Sequence, residues 1–291
     1  MTVRRRSVLD LDAAGREALR LRHPGVFRPS PYGRLMVVAG IAAGAALAIY
    51  ALWRFGFSAG KMIDGLDKLG TVLVLMMPPD PGNQLWKYVA ALGETLAIAF
   101  LGTLGAAILA LPMSMLAAKN VVANRFMHFA SRRFLDTIRG VDTLIWALIW
   151  INVVGLGPFA GILAILTSDF GTFGKLFSEA IEASDRKPVD GVVAAGGSDL
   201  QGFRFGILPQ VMPVLMSQVL YYFESNTRSA TIIGIVGAGG IGLYLANEIA
   251  QAEWQRVAAI ILMILVTVST IDWLSSKLRF AMMGRRAGAS A

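Results

Sequence analysis

Cysteine is absent from this chain, which excludes disulfides and thiolate metal centres, and the two histidines, His23 and His128, are too few to build a histidine-based cluster. Charge is also scarce: Asp, Glu, Lys and Arg together make up 16% of 291 residues, against 55% hydrophobic and a mean hydropathy of +0.60. A soluble domain carries about a quarter charged residues, so this composition belongs to a membrane protein. Catalytic signatures are missing too, with no G-x-S-x-G elbow and no H-E-x-x-H pair. The charge that is present is mostly positive, net +8. With this hydropathy, the lysines and arginines read as cytoplasmic loops of a membrane protein rather than as a nucleic-acid surface.

What is there instead is a series of long uncharged windows, and a helix needs about 20 mostly apolar residues to cross the hydrocarbon core. The first runs for 19 residues between Arg34 and Arg54, the second for 24 between Glu94 and Lys119, with its helix starting near Trp86. A run of 26 uncharged residues from Thr143 to Ser168 is divided by Gly155, Gly157 and Pro158, a strong helix breaker. It gives a third span over 136–154 and a fourth over 158–178. A fifth follows Arg204 and a sixth covers 254–274. With six spans the basic segments at 119–133, 184–204 and 276–286 share one side with the basic N-terminus; with five, two of them would face outside. The expectation is an all-α membrane protein with about six transmembrane helices and both termini in the cytoplasm. A tail at 1–34, with a short amphipathic helix from Ser7 to Arg22, precedes the first helix at 35–54. An external segment at 55–85, a core at 86–280 and a second tail at 281–291 follow, and 231–252 is expected as the other sizeable external segment.

Two stretches imitate nucleotide loops. "GIVGAGGIG" places Gly237, Gly239 and Gly242 in the G-x-G-x-x-G spacing, but a dinucleotide site needs a parallel βαβ unit around it, and here the glycines fall between two membrane spans. "GTFGKLFS" has only two residues between Gly171 and Gly174, and Leu176 stands where a magnesium-binding hydroxyl belongs. Neither is a phosphate loop, so the chain binds no cofactor of its own. The ionisable groups near or within the spans are Glu94, Asp142, Asp169, Glu224, Arg228 and Asp272. Charges at such depth are costly and usually face a bundle interior or an aqueous path, which favours transport.

The loop before the fifth span, "VDGVVAAGGSDLQGFRFGILPQ", resembles the coupling motif of binding-protein-dependent ABC importers: E-A-A, three residues, G, nine residues, I-x-L-P. Asp190, Gly191 and Val192 stand at E-A-A, Gly196 at its glycine, and Leu208 and Pro209 at L-P. Asp replaces Glu, Gly and Val replace the alanines, and Gly206 takes the Ile position, changes that weaken the helix start. The stretch "FRFGILPQVMPVLMSQVLYYFESNTRSATIIGIVGAGGIG", together with "ALGETLAIAFLGT", "RRFLDTIRGVDTLIWALIW" and "GLGPFAGILAI", is similar to phosphonate-import ABC permeases over about 86–280.

The resemblance implies a type I importer permease core with a coupling loop at 181–208. It further implies a non-catalytic subunit for phosphonate, phosphate or phosphite, working with a cytoplasmic ABC ATPase dimer that uses ATP and magnesium, an external binding protein, and a second permease that is the same chain or a sister subunit. The alternatives are a permease for another small solute or an ion-coupled carrier. On this reading Asp190, Gly191, Gly196, Leu208 and Pro209 engage the ATPase. Glu94, Thr95, Glu224, Asn226, Arg228, Ser229, Gly237, Gly239, Gly240 and Gly242 belong to the path or its gate, the glycines as a hinge or as close helix packing, and Glu224 and Arg228 as a pair on one helix face near the outer end of the fifth span that either meets the anion or only ties the helix to its neighbour.

Overall fold

The structure, a computed structural model, describes residues 17–18, 21–22, 31–121 and 124–287. The expected amphipathic helix from Ser7 to Arg22 falls almost wholly outside the described residues, as do residues 288–291 of the C-terminal tail. The chain divides into two units, Met1–Gly70 and Thr71–Ala291.

In the first unit, α1 (Pro31–Arg54) carries no acidic residue in its first turn and no buried side chain among the described ones. A helix apolar on every side is solvated by lipid. The expected external segment 55–85 contains a second helix, α2 (Ala59–Leu75), inside which the division between the units falls.

The second unit is a helical bundle around α3 (Leu85–Ala117). Its buried positions, among them Ala91, Thr95, Ala99, Gly102, Ala106 and Ala110, recur every three to four residues and are nearly all small. Small residues let helix backbones approach where lipid offers no hydrophobic driving force. At the closest point a Cβ on Gly102 would lie 2.7 Å from Ile165 Cβ in α6 (Pro158–Glu182).

Between them come α4 (Arg125–Arg139) and α5 (Thr143–Val154), bent by 86° at Gly140 to Asp142. The expected third span at 136–154 is therefore not one continuous helix. Asp142 turns out of helical geometry (ψ 148°) and its carboxylate accepts the Leu144 N–H at 2.8 Å, capping the new helix. The break between α5 and α6 lies where the glycines place it, with Gly155 and Gly157 at positive φ and Pro158 in the first turn of α6.

After α6 come α7 (Lys187–Ala194), a single turn at Asp199–Gln201, and a π-wound segment Gly202–Ile207 that runs into α8 (Leu208–Ile235). The chain then folds back through α9 (Ile241–Ala250) and ends in α10 (Trp254–Ala287). Among the described residues five helices are long and apolar enough to cross a membrane, and six if α4 and α5 together count as one.

Three buried clusters stack along α3. Tyr88 and Ala91 meet Ile241 and Ile260. Ile98 and Ala99 meet Ile165, Ile233 and Ala238. Ala106 and Ala110 meet Phe173, Phe177 and Val211. The polar sites at Thr95 and at Thr103 described below lie on α3 between the residues of these layers.

Candidate translocation path and coupling segment

The glycine motif follows a helix, not a strand, which removes the dinucleotide reading on geometry. The loop packs against α3 at Glu94 and Thr95, nine and ten residues into that helix and so about 15 Å from its start at 1.5 Å per residue. Gly237, Gly239 and Gly240 all have positive φ (102°, 84° and 73°), a conformation that only glycine adopts without strain.

Side chains would also have no room there. A Cβ on Gly239 would lie 2.7 Å from Glu94 Oε1 and 2.9 Å from Pro158 N, and one on Gly242 would meet the Thr231 carbonyl. The backbone is fastened from α3: Glu94 Oε1 accepts the Gly240 N–H at 3.0 Å, and Thr95 Oγ1 accepts the Ile241 N–H at 2.8 Å. The Gly237 carbonyl accepts the Gly157 N–H at 3.0 Å, joining this loop to the α5–α6 break. Irregular backbone is thus held against protein, the condition for it at membrane depth. Within the expected external segment 231–252, residues 231–235 complete α8, 236–240 are buried or half-buried, and 241–250 form a helix.

α9 is anchored at its other end by Glu248, which is 4% exposed. It accepts from the Tyr88 hydroxyl at 2.9 Å and pairs with Arg256 at 3.4 Å. None of these three residues stood out in the sequence, because a lone Tyr, Glu and Arg far apart in the chain carry no spacing signal.

A second site lies deeper. Asn226 donates one amide hydrogen to Asp169 Oδ2 and the other to Thr103 Oγ1 at 2.8 Å, joining α8, α6 and α3. All three residues are buried, and no cationic side chain pairs with Asp169 among the described residues. Asp169 and Asn226 were each visible in the sequence; their contact was not.

The third site is a charged ladder between α8 and α10. Arg228 and Glu224 do share a face, 3.8 Å apart, but the shorter contacts cross between helices: Arg279 to Glu224 at 3.0 Å and Arg228 to Asp272 at 3.5 Å. Glu224 is nearly buried, whereas the Arg228 side chain is 48% exposed. Asp272 and Arg279 lie 18 and 25 residues into α10, so the ladder stands at that helix's basic end rather than at the outer end expected for the pair. Ser229 bonds only weakly, at 3.5 Å, to the Ser225 carbonyl of its own helix.

In the coupling segment, Asp190 and Gly191 fall on α7, and Gly196 closes the following turn at φ 85°. Leu208 and Pro209 open α8. The outward face of the segment carries exposed Val193 and Leu200 beside Lys187, Asp190 and Asp199.

Residues 110–282 match the family described as the binding-protein-dependent transport system inner membrane component. The chain belongs to that family. It is 40% identical over 223 residues to HtxC of Stutzerimonas stutzeri, covering 77% of this chain and 79% of HtxC. It is 35% identical over 249 residues to a protein of the same organism named phosphite transport system permease protein PtxC, covering 85% of this chain and 88% of PtxC. In architecture it is similar to a chain in inward-facing structures of the MetNI methionine ABC transporter, with a TM-score of 0.59 at 18% identity over 69% of this chain and 98% of that one. The likeness to MetNI is one of fold alone. The protein is an inner membrane component of an ABC importer, a transport permease subunit that is all-α with five or six apolar spans among the described residues.

Proposed function

We propose that this permease conducts a phosphorus oxyanion of the phosphite, phosphonate and phosphate class. The observation that carries the proposal is the match to PtxC over 88% of that protein's length. The charged ladder supports it: Arg228 is half-exposed, and its guanidinium fork matches two phosphoryl oxygens. Glu224 and Asp272 compensate that charge when no anion is present, which limits how tightly an anion is held. Glu94, Thr95 and the glycines form the gate, a reading supported by the bonds from α3 to the Gly240 and Ile241 amides.

Residues 187–209 dock on a cytoplasmic ATPase pair that hydrolyses ATP with magnesium, and the apolar Val193 and Leu200 supply the buried contact. An external binding protein delivers the anion, and a second permease, this chain or a sister subunit, completes the path. Both termini face the cytoplasm, a reading that the distribution of Lys and Arg supports.

Reconstitution with the ATPase and binding protein tests the substrate class: phosphite, phosphate and methylphosphonate are offered, and ATP-dependent uptake of at least one is expected. Uptake of none of the three by an assembled, ATP-hydrolysing complex sinks the oxyanion reading. Arg228→Lys is expected to keep partial uptake, whereas Arg228→Gln and Arg228→Met lose it without losing assembly or basal hydrolysis. Normal transport by all three variants removes Arg228 from the path.

A further inference from the structure

The departure of the coupling segment from its family pattern has a structural counterpart. Gly206 occupies the isoleucine position, and a Cβ there would lie 2.8 Å from Val189 Cγ2 and 3.0 Å from both the backbone N and Cα of Val189. Four residues earlier, a Cβ on Gly202 would lie 3.2 Å from Val189 Cγ1. Both glycines are buried. The coupling helix α7 therefore rests backbone to backbone on the π-wound base of α8, an approach that an isoleucine at 206 would forbid.

Gln210, one turn further along, closes over the same seat. Its carboxamide oxygen accepts the Asp185 N–H at 3.2 Å, and its amide nitrogen donates to the Asp185 carbonyl at 3.0 Å and the Gly206 carbonyl at 2.6 Å. A single side chain thus satisfies both backbone groups of Asp185, two residues before α7 begins. Arg186 at the cap position makes no capping bond with its side chain, but Asp185 Oδ1 accepts the Lys187 N–H at 3.1 Å, so Gln210 holds the residue whose carboxylate satisfies the first amide of α7.

We infer that Gln210 and the glycine seat form a clasp that makes α7 and α8 one rigid lever, with Gln210 as a positioning residue for coupled transport. Asn226 lies 16 residues beyond Gln210 on the same helix, about 24 Å away at 1.5 Å per residue, and Arg228 two residues further. A displacement of α7 reaches the buried triad and the charged ladder without being absorbed in a flexible loop, because close-packed contacts transmit motion that a loop would damp. The inference rests on the docking of residues 187–209 on the ATPase.

The full complex in liposomes tests it, with the best imported of phosphite, phosphate and methylphosphonate as the probe. Gln210→Leu and Gly206→Ala are expected to retain the ATPase on co-purification while the anion imported per ATP hydrolysed falls by about fivefold or more, the lower end of allosteric coupling between sites. An unchanged ratio with assembly intact overturns the clasp.

A second measurement needs no transported anion. In this cysteine-free chain, an Asp185→Cys, Gln210→Cys pair bridged by a short bifunctional thiol reagent should form equally in nucleotide-free and vanadate-trapped complexes, and the bridge should raise the ratio above that of the same double variant left unbridged. A yield that differs severalfold between the two states, or a bridge that abolishes uptake, refutes a rigid lever. Val193→Asp separates the two readings. If the ATPase stays bound to that variant, docking is wrong; if it is lost while Gln210→Leu stays fully coupled, only the clasp is wrong.

Discussion

Thr95→Val is the sharpest probe of the glycine loop. The substitution preserves volume and β-branching and removes one hydroxyl, which accepts the Ile241 N–H at 2.8 Å and donates to the Ala91 carbonyl at 2.9 Å. Thr95 and Ile241 are 3% and 0% exposed, so water does not replace the lost partner without opening the loop. An unsatisfied buried amide costs about 1–3 kcal/mol. Side-chain bonds between membrane helices deliver less, about 0.6 on average and 1.7 at most, because the unfolded chain in the bilayer also finds partners. The expected cost is about 1–2 kcal/mol, a factor of about 5 to 30 in an equilibrium constant.

Hydrogen exchange read by mass spectrometry on the peptide spanning 236–245 should therefore accelerate by that factor, with little change in the α6 peptides. Thr95→Ser keeps both bonds and should exchange like the parent. If the valine variant exchanges no faster than the parent, or the serine variant exchanges as fast as the valine one, Thr95 does not hold the loop and the gate must be fastened elsewhere.

Glu94→Gln should perturb the same peptide less, by about 0.3–1 kcal/mol, because the Gly240 acceptor survives and only the charge at the start of α9 is lost. Gly171→Ala is expected to cost about 1–3 kcal/mol by overpacking, since its Cβ would meet the Arg139 backbone N at 2.8 Å and the Leu135 carbonyl at 3.0 Å. Gly174→Ala should cost less, because the atoms in its way belong to the end of the Leu135 side chain; unfolding in mixed detergent ranks the two, and equal costs contradict the packing argument. In the cysteine-free chain, Ala252→Cys should react with an impermeant reagent from outside and Pro188→Cys only from inside, and the reverse pattern overturns the topology.

The helical membrane class, the membrane-crossing windows and the breaker at Gly155 to Pro158 were legible in the sequence. Each depends on local physics: a run of about 20 apolar residues satisfies the bilayer whatever its neighbours do, and Gly and Pro interrupt a helix wherever they stand together. The resemblance to the coupling frame needs no tertiary structure to be read either, since its spacing lies within one continuous stretch from Asp190 to Pro209.

Three things were decided only by tertiary packing. The third span breaks because Asp142 caps a new helix, which hydropathy cannot register in a window where one acid flanks a long apolar run. The glycine segment is held against α3 because Glu94 and Thr95, some 146 residues earlier, supply the acceptors its amides need. Glu224 finds its closer partner 55 residues away in Arg279, not at the helical neighbour Arg228. A charge or an orphaned amide at low dielectric takes the best partner within reach in space, and separation along the chain does not enter that choice.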